Sequence, residues 1–146
     1  TNNSTTQAMS SISEVDIDWK TQLHKDSTYF THSTSSNPDN ITVVKSGYYE
    51  ISYNVILDNI ATNRKSVSMI IKKDGTAIPY TKSFAYSRGA AYGDQINCHM
   101  KACLDLDAGD VIKVTGKIEH QDETTSISTL GEACTIVING WPETHA

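Results

Sequence analysis

The sequence predicts an all-β protein, a sandwich or barrel of about eight to ten short strands. Three observations support this prediction. Apolar and polar residues alternate from Gly47 to Leu57, as they do in a strand with one buried face. Turn residues separate similar runs at intervals of about 8–12 residues. No segment repeats its apolar residues at the spacing of about 3.6 that an amphipathic helix requires.

Length and composition exclude several classes of protein. The chain has 146 residues, which is the length of one domain and enough to bury a core without disulfides. A hydrophobic content of 38% and a charged content of 20% exclude disordered and fibrous proteins. No apolar run approaches the ~20 residues of a membrane helix. The net charge of -5 argues against nucleic acid as a partner, since such proteins carry basic surfaces.

The first half of the chain leads into the long strand. Residues 1–13 are rich in Ser, Thr and Asn and are predicted to be a flexible leader or linker end. A chain that starts at Thr1 is expected to be a processed product or a piece of something longer. Short strands are predicted from Val15 to Trp19, from Tyr29 to Thr31 and from Ile41 to Lys45. The long strand then places one set of residues on the core: Tyr49, Ile51, Tyr53, Val55 and Leu57.

A hairpin opens the second half. Asp74-Gly75 separates two β-rich runs, and both residues of such a turn need positive φ. Pro79 restricts the return run to an edge or a bulge, because it cannot donate a ladder hydrogen bond. Residues 87–93 are predicted to be an exposed loop. The remaining strands are predicted from Gln95 to Leu104, from Val111 to Glu119 and from Thr135 to Asn139.

Three motifs in order resemble the C1q/TNF-like jelly-roll superfamily. Gly47-x-Tyr49-x-Ile51 is similar to its G-x-Y-x-F signature, and IIKKDGTAIPYT is similar to the segment that follows there. LDLDAGDV, residues 104–111, resembles L-x-L-x-x-G-D-x-V. VDIDWKT and NITVVKSGYY resemble the versions found in phage and other viral tail, fibre and capsid-spike proteins. The resemblance implies a jelly roll of two antiparallel sheets over residues 14–146, assembled as a homotrimer.

The resemblance also implies that one sheet faces the three-fold axis. The second face of the long strand and part of the strand from Val111 would meet there. The trimer-interface candidates are Glu50, Ser52, Asn54, Ile56, Val111, Lys113 and Thr115. Glu50 and Lys113 are predicted to pair, since a buried charge needs a partner. The alternative is the solvated face of a monomer.

No catalytic or metal-binding pattern stands out. The five histidines are scattered, and no nucleophile elbow, zinc-protease or phosphate-loop motif occurs, so no enzyme and no cofactor are predicted. Cys98-His99-x-x-x-Cys103 lacks zinc spacing, and a strand would split its faces. Asp105-x-Asp107-x-Gly109-Asp110 departs from a calcium-binding loop, so a turn is predicted, with calcium as the alternative. The three cysteines are predicted to be small buried thiols.

The loop from Tyr86 to Asp94 carries the predicted recognition residues. Tyr86, Arg88 and Tyr92 are the receptor-binding candidates, because tyrosine and arginine are frequent binding anchors and loops carry recognition. The alternative is that these aromatic side chains pack beneath the loop.

The resemblance therefore implies a non-enzymatic viral structural protein. It would be the trimeric head of a capsid spike, head fibre or tail tip, on the virion surface or otherwise extracellular. Its partners would be a host surface glycan or protein receptor, or other virion proteins that it decorates. The alternative is a secreted C1q-like ligand or adhesion head on a collagen-like or coiled stalk. A cupin-like enzyme would need clustered histidines, which the sequence lacks.

Overall fold

The computed structural model describes residues 2–3, 6–9, 13–89, 94–121 and 126–142. These residues form thirteen strands and no helix. The strands are β1 (Asn2–Asn3), β2 (Ala8–Met9), β3 (Val15–Asp16), β4 (Phe30–His32), β5 (Ile41–Val43), β6 (Gly47–Asp58), β7 (Lys65–Lys73), β8 (Thr76–Ala77), β9 (Ser83–Ser87), β10 (Gln95–Leu106), β11 (Val111–Gln121), β12 (Ile127–Thr129) and β13 (Cys134–Pro142).

The strands form two antiparallel sheets. The first, which we call the β6 sheet, has the order β1-β13-β6-β12-β2, with β10 paired to β6 along its whole length. The second, the β7 sheet, has the order β4-β5-β11-β7-β8, with β3 paired to β11 and β9 paired to β7. The predicted all-β sandwich of two antiparallel sheets is confirmed. More strands form than predicted, because several short pieces pair separately.

The long strand lies at the centre of the β6 sheet, and its alternation is confirmed. Its five inward side chains are each at most 1% exposed: Tyr49, Ile51, Tyr53, Val55 and Leu57. The Tyr53 hydroxyl reaches the other sheet, 3.0 Å from the Met69 carbonyl oxygen and 2.9 Å from the Ser83 hydroxyl. Burial raises the pKa of Tyr53 to about 12, so this link stays neutral. The strand thereby joins both layers of the sandwich.

The β7 sheet supplies the other half of the core. Val67, Met69 and Ile71 on β7 are fully buried, and so are three residues of β11, Ile112, Val114 and Ile118, as predicted for β11. Ile17 and Trp19, from the first predicted strand region, are also fully buried. Removing this apolar area from water supplies the main drive to fold.

The predicted hairpin forms, and its return run is broken. Asp74 and Gly75 have φ of 51° and 78°, as their turn requires. β8 stops at Ala77, and pairing to β7 resumes only with β9 at Ser83. Pro79 lies in the gap, next to Tyr80 with φ of 65°. Of the two predicted alternatives, an edge or a bulge, the edge position is the one that the structure shows.

The amino-terminal residues require a correction. Residues 1–13 were expected to form a leader, yet Asn2–Asn3 pairs with β13 and Ala8–Met9 pairs with β12. Met9 is fully buried in the core. The few apolar residues of this polar stretch show no period, so the insertion of Met9 cannot be predicted from the sequence pattern. These described parts of the leader belong to the sandwich.

Two of the three cysteines match the prediction. Cys98 and Cys134 are buried, whereas Cys103 is exposed, and all three are free thiols. Cys98 and Cys103 point to opposite faces of β10, as their odd spacing requires. Burial raises the pKa of Cys98 to about 11, which makes it a poor nucleophile at neutral pH. The prediction of a buried thiol is wrong for Cys103, because its strand has one uncovered face.

Candidate functional site

The β6 sheet turns an uncovered face to the outside. In a ladder, opposed residues share a face, so the register identifies its members. Trp141 lies opposite Tyr48, and Val137 lies opposite Ser52. Tyr48, Val137 and Trp141 are 46%, 47% and 63% exposed. We call this surface, with the outward residues of β6, β10 and β13, the outward β6 face.

Four of the trimer-interface candidates lie on the outward β6 face: Glu50, Ser52, Asn54 and Ile56. The other three, Val111, Lys113 and Thr115, lie on β11 in the opposite sheet. The prediction that all seven form one surface is wrong. Alternation shows which residues of one strand share a face, but it does not show which sheet the strand joins.

The predicted pairing of Glu50 with Lys113 is wrong for the same reason. Glu50 pairs with Lys101 of β10, with 2.9 Å between carboxylate oxygen and ammonium nitrogen. Lys113 pairs with Asp39 at 2.6 Å and with Asp16 at 3.0 Å. Glu50 therefore has its partner on β10, and Lys113 has its partners on β3 and in the turn before β5.

Asp16, Asp110 and Glu119 have lowered pKa values. Burial raises the pKa of Asp16, but hydrogen bonds from Thr115 and Lys113 outweigh this effect. The Asp107 N–H and Lys73 likewise outweigh burial at Asp110. Hydrogen bonds from Lys82 and then Ser68 lower the pKa of Glu119.

These shifts predict a loss of stability in acid. A carboxylate whose pKa is lower in the folded state stabilises that state above its unfolded pKa, here 3.8 for Asp and 4.5 for Glu. Melting temperatures should change little through these groups between about pH 5 and 7, then fall below about pH 4. The melting temperature of the Asp16→Asn variant should fall less steeply below about pH 4, because that variant lacks one of these carboxylates. A melting temperature that rises on acidification would contradict this assignment.

The β7 sheet exposes aromatic side chains. β9 alternates, with Ser83, Ala85 and Ser87 turned inward, and with Phe84 and Tyr86 turned outward at 63% and 54% exposure. These two rings do not pack beneath the loop. Lys82 lies over the Phe84 ring, its ammonium nitrogen 4.9 Å from the centroid.

Two rows of side chains cross the β7 sheet beside these rings. Phe84 lies opposite Ser68, which lies opposite Lys117. Tyr86 lies opposite Ser66, which lies opposite His120. Ser68 is only 2% exposed, because Glu119 accepts its hydrogen bond and pairs with Lys82 from the other side. We call the two rows together the trough. Its aromatic rim is Phe84 and Tyr86, its floor is Ser66 and Ser68, and its polar rim is Lys117, Glu119 and His120.

Glu119 is the charged centre of the trough. One carboxylate oxygen accepts a hydrogen bond from the Ser68 hydroxyl at 2.7 Å and pairs with Lys82. The other lies 3.7 Å from the Lys117 ammonium nitrogen. Two lysines and a hydroxyl thus hold this carboxylate in place, and both lysines remain partly exposed.

A buried polar cluster anchors the end of β9. The Asn59 side-chain amide donates to the Asn63 carbonyl oxygen and to the Ser87 hydroxyl, both at 3.0 Å. The Lys65 ammonium, fully buried, donates to the Asn63 side chain at 2.9 Å. The Gly89 N–H donates to the Ser87 hydroxyl at 3.1 Å. The end of β9, the strand that carries Tyr86, is therefore held by buried hydrogen bonds.

Gly89 is required where the chain leaves this cluster. Its φ is 94°, and a Cβ there would lie 2.7 Å from the Thr62 carbonyl oxygen. Arg88, one of the predicted recognition residues, is exposed directly beside it. Tyr92, the third, lies outside the described residues. The structure thus brings Tyr86 and Arg88 together on one side of the molecule.

The described part of the chain contains no group of three or more His, Cys, Asp or Glu side chains that could hold a metal ion. Residues 107–110 form the predicted turn, in which the Asp110 carboxylate accepts the Asp107 N–H at 2.8 Å and Gly109 has φ of 99°. Asp110 also pairs with Lys73 at 3.1 Å. Within the same described ranges, no helix is long and apolar enough to cross a membrane.

Sequence reasoning missed the floor and polar rim of the trough. Ser66 and Ser68 alternate with Val67 and Met69, which indicates small polar residues on an outward face. Their alignment with Lys117 and with the aromatic rim depends on strand register, which the sequence pattern does not supply.

Two antiparallel sheets around one core make this chain a jelly-roll sandwich. No protein-family model matches it, and no curated protein matches it by sequence. Among solved structures it is similar to Eiger TNF from S. frugiperda, with 14% identity and a TM-score of 0.55 over 80% of this chain and 71% of that one. Murine APRIL at pH 8.0 gives 11% identity and a TM-score of 0.54, over 88% of this chain and 95% of that chain. The crystal structure of murine APRIL at pH 8.5 gives 13% identity and a TM-score of 0.50, over 84% of this chain and 90% of that chain. The chain therefore has a TNF-like jelly-roll fold, and this prediction is confirmed.

Proposed function

We propose that this chain is the non-enzymatic head domain of a homotrimer that attaches to a host surface. The observation that carries the proposal is the pair of opposite outward faces. One presents exposed apolar side chains on a broad sheet, and the other presents aromatic and basic side chains in two rows across the sheet. The first suits assembly, and the second suits recognition.

The outward β6 face suits burial between copies. Exposed apolar residues grouped on one surface mark protein interfaces, and Tyr48, Val137 and Trp141 lie on this one face. Glu50 and Lys101 already neutralise each other there. Burying a paired charge costs less than burying an isolated one. A closed ring of three copies would cover this face, as the likeness to Eiger TNF and APRIL supports.

Recognition is assigned to the opposite side of each head. Tyr86 and Arg88 are exposed there, and tyrosine and arginine offer contact area and a fork of donors to a glycan or protein receptor. Tyr92 stays a candidate from the sequence. Neither face needs a metal or cofactor for this role.

The proposed setting is a virion surface, where the head would belong to a spike, head fibre or tail tip. The support is the resemblance of the opening motifs to viral fibre and spike proteins. The likeness to Eiger TNF and murine APRIL favours a second setting, a secreted ligand or adhesion head. Antibody labelling distinguishes them. Label on purified virus particles supports the first, and label confined to secreted material supports the second.

The attachment proposal predicts that a triple variant loses binding. Tyr86→Ala, Arg88→Ala and Tyr92→Ala together should abolish adhesion of the purified head to host cells, because they remove the three candidate anchors. Light scattering should still give about three times the 16.0 kDa chain mass, and the melting temperature should be kept. Unchanged adhesion by the folded variant would remove this region as the site.

A further inference from the structure

We propose that a cleft between the two sheets binds an acyl chain that ends in a carboxylate, the chemistry of a medium-chain fatty acid. The inference goes beyond the proposed attachment function, because the cleft shares no residue with the trough. The hydrocarbon chain would lie along β13, and its carboxylate would meet the ammonium group of Lys25.

The cleft opens where β13, in the β6 sheet, faces β4 and the loop before it. Its volume is about 370 Å³, within the range of about 300–1,000 Å³ that is typical of ligand cavities. Residues 135–140 of β13 line it without a gap, which is a length of about 17 Å along the strand. Residues 22–26 of the loop before β4 also line it. The cleft therefore has the volume and the length for an extended chain of medium length.

Apolar side chains from both sheets form the floor of the cleft. Ile136 and Ile138 line it from β13, Phe30 lines it from β4, and Ile41 lines it from β5. Phe30 and Ile138 are only partly buried, so the cleft leaves part of the core open to solvent. Most of the cleft surface is apolar. This favours a hydrocarbon over a peptide, because every peptide unit brings a donor and an acceptor that need partners.

Lys25 gives the cleft a cation. Its side chain is half-buried, and its ammonium group donates to the His32 carbonyl oxygen at 3.3 Å. Among the residues that the structure describes, no carboxylate pairs with Lys25. The neighbouring Asp26 is exposed, and its carboxylate accepts the Thr28 N–H at 2.9 Å. Because lysine bonds a carboxylate more strongly than a carbonyl oxygen, the charge of Lys25 selects an anionic head group.

Hydrogen bonds hold the loop that carries Lys25. The two ring nitrogens of His32 lie 3.3 Å from the Gln22 side-chain oxygen and 3.0 Å from the Pro38 carbonyl oxygen. The Phe30 N–H donates to the Asp26 carbonyl oxygen at 3.1 Å. The loop is thus tied to β4 before any ligand arrives, which lowers the cost of ordering it on binding.

The test is a titration of the intact head with decyl probes below their micelle concentrations, followed by NMR and calorimetry. Decanoate, decanol and decyltrimethylammonium share one tail and differ in the charge of the head group. We expect decanoate to bind at least about tenfold more tightly than decanol, and decyltrimethylammonium to bind more weakly than decanol. Hexanoate should bind on the order of 100-fold more weakly than decanoate, since each methylene group that it lacks is worth about fourfold in affinity.

Variants assign the binding to the cleft. Lys25→Gln should reduce decanoate binding to the level of decanol, and Lys25→Arg should restore the preference for decanoate. Lys20→Gln is the matched control, because Lys20 lies outside the cleft and pairs with Asp18 at 3.2 Å. Ile138→Trp should weaken the binding of every probe, because the larger side chain fills the cleft. Melting curves check that each variant is folded, and Lys25→Gln tests the site if Ile138→Trp fails that check.

Several outcomes would overturn the inference. Equal affinity for decanoate and decanol would remove the role of Lys25. Decanoate binding that survives both Lys25→Gln and Ile138→Trp would place the site elsewhere. Binding that appears only when the head is diluted to monomers would show that a second copy covers the cleft. Absence of decanoate binding at millimolar concentration would refute the fatty-acid site and leave the attachment proposal to its own adhesion test.

Discussion

Replacing Tyr49 with alanine should lower the free energy of unfolding by about 3–5 kcal/mol, the largest single-residue effect that we expect. The Tyr49 side chain is fully buried, and its ring meets the Phe30 ring edge-on at 5.3 Å. Its hydroxyl donates to the Lys45 carbonyl oxygen at 2.6 Å. Alanine removes the ring, leaves a cavity and abolishes that hydrogen bond. Urea unfolding at a fixed protein concentration measures the loss.

A second site tests the same contact. Gly140 lies opposite Tyr49 on β13, and a methyl group added at Gly140 would overlap the Tyr49 ring. Gly140→Ala should therefore destabilise the wild type and be tolerated in the Tyr49→Ala background, giving strong non-additivity. Tyr80→Ala serves as the exposed control, with a change within about 0.5 kcal/mol. A Tyr49→Ala variant that unfolds like the wild type would mean that the register of β6 is wrong by one residue.

Introducing Val137→Glu and Trp141→Glu together should convert the proposed trimer into monomers. Both side chains project from the outward β6 face at 47% and 63% exposure. Three copies brought together there would bury like charges without partners, which costs several kcal/mol for each ion. Light scattering should then fall from about three times the 16.0 kDa chain mass to the mass of one chain.

Tyr86→Glu is the control, because it places one carboxylate of the same kind on an exposed aromatic position of the opposite sheet. It should leave the mass unchanged. If Tyr86→Glu dissociated the assembly and the double variant did not, the interface would lie on the β7 sheet. A wild type that is a monomer at micromolar concentration would refute the trimer.

The core could be predicted from the sequence, because alternation alone identifies its members. Tyr49, Tyr53 and Val55 follow from the period of two, as does the burial of Ile112 and Val114 on β11. Pairing between strands could not be predicted in this way. Lys113 was expected next to Glu50, and this was wrong. The sheet that β11 joins is set by contacts between residues far apart in the sequence, which alternation does not reveal.

The candidate site was predicted only in part. Tyr86 and Arg88 were predicted to be exposed from their type and the nearby glycines, and both are exposed in the structure, whereas their binding role stays a prediction. Phe84 was not among the chosen recognition residues, although a period of two places it on the same face as Tyr86. The burial of Lys65 was also missed, since lysine is rarely buried, and its polar support from Asn63 depends on a loop conformation.

The two sheets of each head face opposite ways, and this fixes how an assembled head could meet a surface. With the outward β6 face closed around a three-fold axis, every trough points sideways, away from that axis. One flat membrane could not touch all three flanks at once. A single trimer would therefore bind such a membrane weakly, through one flank at a time, and lie on its side. Binding at several sites at once can strengthen overall binding by a factor on the order of 10²–10⁴. Here that gain would need a ligand chain that wraps around the flanks, or neighbouring trimers in an array.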